Sequence, residues 1–319
     1  MEAVAILSGV RTPIGGYGGT LRDLPVYKLG SLVLNEAVKR AKIEPSWVDD
    51  VVMGQSYQNG ECANGARMAL LEAGWPDEVP GVTLDCRCCS GLDAIYFGAM
   101  KIQSNNAEIV VAGGMENMSQ AEVYFPGDIR WGLGGRTDKK WGFMPRGHGA
   151  LQMWGIPLYD RIQRARVMSQ PIERYGELTS MMAWAETAAK NERISRAEAD
   201  AWALRSHQKA IVAIDSKKFA EEIVPVPITI KKGETSFFVV DETPRRDTTL
   251  EKLAKLPPVM LMVCVLLVIH RVKTTVRLPF FWPPRLRLGN SVLNLLPTLA
   301  LVRWPLLTLP SPTQQYLPQ

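Results

Sequence analysis

Residues 82–92 read VTLDCRCCSGL, and this stretch decides the fold class of the 319-residue chain. Its first residues are apolar or β-branched, as in a short buried strand, and a helical pattern extends from Cys89 to about Ser104. A strand that runs directly into a helix is typical of βαβ units, whose strands lie parallel in one sheet. The stretch therefore predicts an α/β fold, with Cys88 at a strand-to-helix junction.

The sequence on either side repeats this alternation of short apolar runs and longer helical patterns. We expect strands at residues 4–7, 51–54, 82–85 and 108–112, and helices at residues 27–42, 65–73 and 89–104. Gly74 follows the second helix at the position where glycine commonly ends helices. This order predicts a parallel sheet flanked by helices.

The middle of the chain has a different composition. From Gln120 to Arg174 it is rich in Gly, Trp, Met, Arg and Pro and shows little periodicity, which predicts an inserted loop region at about residues 120–180. Helical patterns return at residues 177–191 and 196–220, the second with Ser195 as its N-cap. Residues 222–226 and 237–240 resemble strands.

Charge is unevenly distributed along the chain. The net charge is +5, but residues 259–319 contain six basic and no acidic residues, so removing them leaves −1 for residues 1–258. A basic surface for nucleic acid is therefore not expected in the larger part. Residues 260–269 are strongly apolar but too short to cross a bilayer. We expect a soluble globular protein without a membrane or nucleic-acid partner.

The cysteines indicate a reducing compartment. Three of the five are clustered as Cys86, Cys88 and Cys89, which is unlike the disulfide framework of a secreted protein. They lack a second pair of Cys or His at zinc-ligand spacing, so no metal site is expected. A charged and apolar leader is also missing before residue 4, and a cytoplasmic location is the expectation.

Cys88 has two possible roles. A thiol becomes a good nucleophile when its pKa falls, and the N-terminus of a helix favours the thiolate. Ser90 and Gly91 are small and would allow a substrate to approach that terminus. Alternatively, Cys88 and its two cysteine neighbours are ordinary buried core residues, since unpaired cysteines are often buried.

Several separated motifs identify a family resemblance. They are, in chain order, RTPIG at residues 11–15 with GG at 18–19, NGAR at 64–67, CCSGL at 88–92 and GGMENMS at 113–119. Shorter matches follow at residues 194–196, 222–226 and 253–256. In order and spacing these motifs resemble the thiolase family. The resemblance covers residues 1–258, which we interpret as a thiolase N-terminal domain.

The resemblance implies a thiolase-like βαβ half-fold and an acyltransferase that acts on coenzyme A thioesters. Cys88 would accept the acyl group, and free CoA or a second acyl-CoA would then react with it. These thioesters are substrates, so no cofactor is implied, and the intact family forms homo-oligomers. The chain departs from the family pattern at Asp85 and Cys86, where many members have Asn and Arg. Cys89 also replaces a usual Gly or Ser.

The resemblance also suggests substrate contacts. Arg245 lies in a segment that aligns with the one in which thiolases hold the nucleotide end of CoA, and arginine suits phosphate. Met181 and Met182 align with a methionine beside the acyl pocket, although Ser180 stands where His is usual. The alternatives are a solvated charged loop for Arg245 and core packing for the two methionines.

Other candidate sites have weaker signatures. Gly15 to Gly19 lacks the Lys-Ser/Thr of a P-loop and the full dinucleotide spacing, so a nucleotide-binding loop is not expected. His148 has no carboxylate or Cys at ligand spacing, and His207 falls within a helical pattern. Both histidines are interpreted as ordinary surface or core residues.

Residues 259–319 do not continue the resemblance. A thiolase would carry an N-x-S-G-x-N-D-G motif, a Gly-His-Pro segment with the catalytic His and a second Cys here, and none occurs. Back-translation of residues 260–281 with permitted codons, read two bases later, gives ADGVCTAGNSSGENDGSAAVL. We therefore interpret 259–319 as a frameshifted tail, with the C-terminal half of the fold missing or scrambled.

The tail has consequences for activity. Without the His and the second Cys, Cys88 has no identified base, and little or no thiolase turnover is expected of this chain. An incomplete fold would also leave apolar surface uncovered. The alternatives are a non-catalytic protein that binds acyl-CoA or lipid, and a decarboxylating ketoacyl synthase, against which the GGMENMS motif argues.

Overall fold

A computed structural model of the chain describes residues 4–127, 150–153, 156–176, 181–230, 234–258 and 280–282. By its contacts the chain divides into Met1–Pro284 and Arg285–Gln319. All described residues belong to the first unit. The boundary at residue 258 and the frameshifted tail stay sequence predictions.

The helices and strands alternate in the first part of the chain, as expected for βαβ units. The helices are α1 (Val26–Ala41), α2 (Gly65–Glu72), α3 (Ser90–Gln103), α4 (Arg161–Val167), α5 (Ile172–Tyr175), α6 (Met181–Asn191), α7 (Arg196–Asp215) and α8 (Leu250–Ala254). The strands are β1 (Asp50–Gly54), β2 (Gly81–Leu84), β3 (Val110–Gly114), β4 (Val123–Tyr124), β5 (Ala150–Met153), β6 (Ile156–Asp160), β7 (Val226–Thr229), β8 (Thr235–Phe238) and β9 (Phe280–Trp282).

The main sheet has the strand order β2-β1-β3-β9. Strand β1 is parallel to both β2 and β3, so that Val52 lies opposite Val82 on one side and Ala112 on the other. Strand β9 joins the free edge of β3 in the antiparallel direction. The predicted α/β class with parallel strands is confirmed.

The two faces of the sheet carry different helices. Val51 and Met53 of β1 belong to a buried cluster with residues of α1 and α2, whereas Val52 between them belongs to a second cluster with Ala94 and Ile102 of α3. Successive side chains of a strand point to opposite faces. The central strands are therefore covered on both sides, which explains why their sequences are continuously apolar.

Helix α3 has apolar residues on both of its faces. Ala94, Gly98 and Ala99 are buried, on the side of the helix that contacts β1 and β3. Its opposite face is exposed to solvent, with exposed fractions of 69% for Leu92, 61% for Tyr96, 45% for Phe97 and 44% for Met100. A helix that is apolar all round is normally buried. The structure thus contains a large exposed apolar face on α3.

The prediction of a strand at residues 4–7 is wrong. These residues belong to no strand, and Ile6 and Leu7 are exposed. A strand needs a neighbour to satisfy its backbone groups. Arg11, further along, pairs with the chain after α7: its amide donates to Glu222 O at 2.8 Å and its carbonyl accepts from Val224 N at 2.8 Å. The strand expected at 222–226 accordingly starts later, at Val226.

The expected loop region at residues 120–180 contains more structure than its sequence indicates. Strands β4, β6 and β5 form a three-stranded antiparallel sheet, and α4 follows β6 directly. Asp160 ends the strand and caps the helix, because its Oδ1 accepts from Ile162 N at 2.7 Å and from Gln163 N at 3.1 Å. Gln152 within β5 and Pro157 within β6 interrupt the apolar runs by which the strands of the main sheet were predicted.

Helix α7 begins where the sequence predicts. Ser195 and Glu198 form a reciprocal capping box, with the side chain of each bound to the backbone amide of the other. The helix ends at Asp215, five residues before the predicted end at Ala220. No helix in the described part of the chain is long and apolar enough to cross a bilayer.

Candidate active site

The carboxyl ends of β1 and β3 meet the N-terminus of α3 through close contacts between glycines. A Cβ atom on Gly54 would collide with the carbonyl group of Ser90 and lie 2.6 Å from Gly91 N. A Cβ on Gly114 would lie 3.3 Å from Gly91 Cα. Only glycine permits this approach of backbones. The arrangement holds the residues between β2 and α3 at the edge of the sheet where ligands of α/β proteins commonly bind.

The residues between β2 and α3 form a turn with many hydrogen bonds. Cys89 N donates to Cys86 O at 3.2 Å, and Ser90 N donates to Arg87 O at 3.0 Å. The buried Ser90 hydroxyl accepts from Cys86 N at 2.8 Å and donates to Arg87 O at 2.6 Å. We call residues Cys86–Ser90 the cysteine turn. Cys88 lies at its centre.

Arg87 adopts an unusual backbone conformation directly before Cys88. Its φ is 52°, in the left-handed region that non-glycine residues seldom occupy. Ser56, which follows β1, forms two hydrogen bonds with Arg87. Ser56 Oγ donates to Arg87 O at 2.8 Å, and Ser56 O accepts from Arg87 Nη1 at 3.3 Å. Strained backbone of this kind is often found at functional sites. The hydrogen bonds between Ser56 and Arg87 hold this conformation and thereby fix the position of Cys88.

Two polar residues after β3 hold neighbouring segments of the site in place by hydrogen bonds. Glu116 Oε2 accepts from Ser56 N at 2.8 Å and from Tyr57 N at 3.2 Å, and so fixes the chain after β1. The buried Asn117 donates to Leu21 O at 3.0 Å and to Leu24 O at 2.8 Å. Both residues belong to the GGMENMS motif. Sequence reasoning assigned them no role, although polar residues directly after a buried strand were a usable signal.

The three cysteines of the turn are exposed thiols. Their exposure argues against the alternative that they are buried core residues. The Cys86 thiol is hydrogen-bonded to the Asp93 carboxylate, which raises the pKa of Cys86. Cys88 precedes the first residue of α3 by two positions. The first-turn amides of a helix lack carbonyl partners in that helix and favour negative charge. The turn thus presents Cys88 to solvent beside a helix N-terminus.

A second cluster joins the N-terminal segment to residues 241–247, which we call the 241–247 segment. Buried Arg11 forms ion pairs through Nη1 with Asp241 Oδ1 at 2.7 Å and through Nε with Glu222 Oε1 at 2.7 Å. Asp241 Oδ1 also accepts from Ile14 N at 2.8 Å. Arg11 begins the first motif of the sequence, and these contacts give it a structural role.

The glycine-rich residues 15–19 bind a carboxylate of the chain itself. Glu242 Oε2 accepts from Gly16 N at 2.7 Å, and Glu242 Oε1 accepts from Thr20 Oγ1 at 2.8 Å. A Cβ atom on Gly19 would collide with the Glu242 carboxylate. The amides of Gly16, Gly18 and Gly19, which a phosphate would need, are thus bound within the chain, to Glu242, Ser119 and Gly16 respectively.

Arg245 and Arg246 differ in their contacts. Arg246 forms a bidentate ion pair with Asp215, with N–O distances of 2.8 and 2.6 Å. The Arg245 guanidinium is exposed and has no hydrogen bond or ion pair with any residue of the described ranges. Its backbone amide donates to His207 Nδ1 at 3.1 Å. Burial lowers the pKa of His207, and the charge of Arg245 lowers it further.

The two methionines lie at the start of α6. Met181 is 51% exposed and Met182 is half-buried. Within the described ranges, no hydrogen bond or ion pair connects Arg245 or either methionine to the cysteine turn. Ser180, His148 and Cys264 lie outside the described residues. Among the residues that the structure describes, no cluster of three or more His, Cys, Asp or Glu is arranged to bind a metal.

Comparisons with known proteins agree with the motifs. The family described as "Thiolase, N-terminal domain" matches residues 4–262. An acetyl-CoA acetyltransferase of Pseudomonas aeruginosa is 36% identical over 258 residues, which are 81% of this chain and 60% of that protein. A beta-ketoadipyl-CoA thiolase of Pseudomonas knackmussii is 41% identical over 258 residues, which are 80% of this chain and 59% of that protein.

Solved structures show the same similarity. The Bacillus anthracis acetyl-CoA acetyltransferase has a TM-score of 0.74 at 34% identity, over 89% of this chain and 66% of that one. Human mitochondrial 3-ketoacyl-CoA thiolase has a TM-score of 0.74 at 30% identity, over 88% and 66%. The chain spans 60% of the length of the Pseudomonas aeruginosa relative. From its family match, motifs and fold, the chain belongs to the thiolase family, through the N-terminal domain of that family.

Proposed function

We propose that the site performs acyl transfer from coenzyme A thioesters, with Cys88 as the acyl acceptor. The observation that carries the proposal is the cysteine turn, which presents the exposed Cys88 thiol beside the N-terminus of α3. The Cys88 sulfur attacks the thioester carbonyl, the carbon–sulfur bond to CoA breaks, and CoA leaves as the thiol. A thioester on Cys88 results. Exchange between two sulfurs is close to energetically balanced, so the step requires mainly a positioned thiolate.

The proposed substrates are acetyl-CoA or longer acyl-CoA together with free CoA. The names of the relatives support this substrate class, since they include an acetyl-CoA acetyltransferase and a beta-ketoadipyl-CoA thiolase. Arg245 is the proposed contact for a CoA phosphate, because its guanidinium is exposed and unpaired within the described ranges. Met181 and Met182 are the proposed contacts for the acyl group. We also propose that the protein is cytoplasmic and forms a homo-oligomer.

We infer that this chain forms the acyl-cysteine but turns over little. Residues 1–319 lack the His and second Cys that the family resemblance places after the Asn-Asp-Gly motif. The first half-reaction needs the nucleophile, whereas the second also needs a group that moves the proton at the substrate carbon. The expected product is a stable acyl-enzyme.

Acetyl-CoA labelled in the acetyl group tests the proposal directly. We expect one acetyl group on Cys88, detected by peptide mass spectrometry, with release of an equal amount of CoA. Cys88→Ser should lose the label, while the neighbouring Cys89→Ser should retain it. Acetylation at Cys86 or Cys89 instead of Cys88 would contradict the assignment. Bound acetyl-CoA with an unmodified Cys88 would favour the acyl-CoA-binding alternative.

The proposed phosphate contact has a matched control in the next residue. Arg245→Ala should weaken CoA binding by about tenfold, because a charge-assisted hydrogen bond to phosphate contributes about 1.5 kcal/mol or more. Arg246→Ala should leave CoA binding unchanged, since Arg246 pairs with Asp215. Isothermal titration with CoA measures both. Equal losses in the two variants would show that only general positive charge matters.

The frameshifted tail is tested by the nucleotide sequence. We expect the gene to encode the Asn-Asp-Gly motif in a second frame that begins near Val259. An uninterrupted frame without that motif in either alternative frame would reject the interpretation.

A further inference from the structure

Two exposed thiols beside Cys88 have no part in the proposed acyl transfer. Neither Cys86 nor Cys89 forms a disulfide, both are exposed, and they flank Cys88 within one turn. Exposed thiols are prone to oxidation and exchange when they are partly ionised. Their placement allows one specific reaction between them.

The backbone brings Cys86 and Cys89 within reach of each other. The hydrogen bond from Cys89 N to Cys86 O closes a four-residue turn, whose end Cα atoms lie less than about 7 Å apart. Disulfides commonly join Cα atoms about 4.4 to 6.8 Å apart. The two thiols also interact electrostatically, because charge on Cys89 contributes to the raised pKa of Cys86, after the larger effect of Asp93.

Pairing of the adjacent Cys88 and Cys89 is unfavourable. Consecutive Cα atoms across a trans peptide are about 3.8 Å apart, which is shorter than the usual disulfide range. No cis peptide bond occurs among the described residues. The geometry therefore excludes the adjacent pair and allows the outer pair of the turn, Cys86 and Cys89.

We propose that Cys86 and Cys89 form a redox-active dithiol that exchanges with low-molecular-weight disulfides and leaves Cys88 as a free thiol. Cys89 is the attacking residue, because it is the N-cap of α3, where negative charge is favoured. Its sulfur attacks one sulfur of the disulfide RSSR, and one RSH leaves. Cys86 then attacks the mixed disulfide at Cys89 and releases the second RSH. The net reaction oxidises two thiols of the chain and reduces RSSR to two RSH.

Glutathione disulfide serves as the probe, and trypsin provides the readout. Cleavage after Arg87 separates Met68–Arg87, which contains Cys86, from Cys88–Lys101, which contains the other two cysteines. After incubation and alkylation of the remaining thiols, we expect these two peptides to be linked, with the alkyl group on Cys88. The peptide Ile43–Arg67, with buried Cys62, should remain unlinked. A phosphine reductant should reverse the link.

Single substitutions identify the partners. Cys89→Ser and Cys86→Ser should each lose the linked peptide, whereas Cys88→Ser should retain it. Each position is exposed, so a serine should leave the thermal unfolding midpoint unchanged. A link through Cys88, or glutathione retained on Cys86 or Cys89 without any linked peptide, would overturn the proposal. The outcome is independent of acetylation at Cys88, so it can fail while the acyl-transfer proposal stands.

Discussion

The cysteine turn and the 241–247 segment are held in place by different kinds of contact. The turn is fixed by backbone hydrogen bonds and by glycines that allow Gly54 to approach Ser90 and Gly91. The 241–247 segment is fixed by charged side chains, chiefly the pairs of Arg11 and Arg246. An atom added to a tight backbone contact produces a steric clash, whereas the loss of one ion pair leaves the remaining pairs in place. The candidate nucleophile thus lies in the less tolerant region.

The largest expected effect comes from an added methyl group under the turn. Gly54→Ala should lower the free energy of unfolding by at least about 3 kcal/mol, because the new Cβ collides with the backbone of Ser90. Gly91→Ala is the matched control within the same contact. Its Cβ would meet only Gly114, at 4.0 Å, so the variant should change stability by less than about 1 kcal/mol, in the stabilising direction.

Urea denaturation of both glycine variants measures the difference. If Gly54→Ala proved as stable as the parent chain, the contact between β1 and α3 would be looser than the structure shows. The cysteine turn would then be no less tolerant of substitution than the 241–247 segment.

A smaller effect is expected in the 241–247 segment. Asp241→Asn should lower the free energy of unfolding by about 2 kcal/mol, because it leaves the buried Arg11 with Glu222 as its only carboxylate partner among the described residues. Glu222→Gln removes the more exposed partner, whose side chain is 41% accessible, and should cost less than about 1 kcal/mol. Equal effects of the two substitutions would contradict the difference in burial.

The smallest effect is a pH dependence at His207, which lies in α7 and contacts the 241–247 segment through Arg245. His207 has a lowered pKa in the folded chain, so the unfolded chain binds its proton more readily. The stability that neutral His207 contributes is present above its unfolded pKa of about 6.5 and is lost as the pH falls below that value. Protonation also removes the acceptor for Arg245 N, while the opposing charge of Asp247 limits the shift.

The measurement compares the parent chain with His207→Gln between about pH 7.5 and pH 5. The stability difference in favour of the parent should shrink as the pH falls. A difference that grows in acid would mean that the folded chain favours the protonated form.

The sequence predicted those parts of the fold that depend on neighbours along the chain. The helices after β1 and β2 and the capping box at Ser195 follow from local periodicity and from the Ser-x-x-Glu spacing. The strand expected at residues 4–7 did not form, because local pattern cannot supply the neighbouring strand that it needs. The sheet within residues 120–180 was missed because Gln152 and Pro157 interrupt the apolar runs of β5 and β6.

For the candidate site, the sequence alone determined the order of the motifs, the position of Cys88 between a strand and a helix, and the family. The exposure of the three thiols and the positive φ of the residue before Cys88 could be seen only once the chain was folded. The tertiary structure also brought Arg11 to Asp241, which lies 230 residues away. Periodicity and motifs report on contacts between near neighbours in sequence, whereas burial, strain and distant ion pairs arise when separate segments pack together.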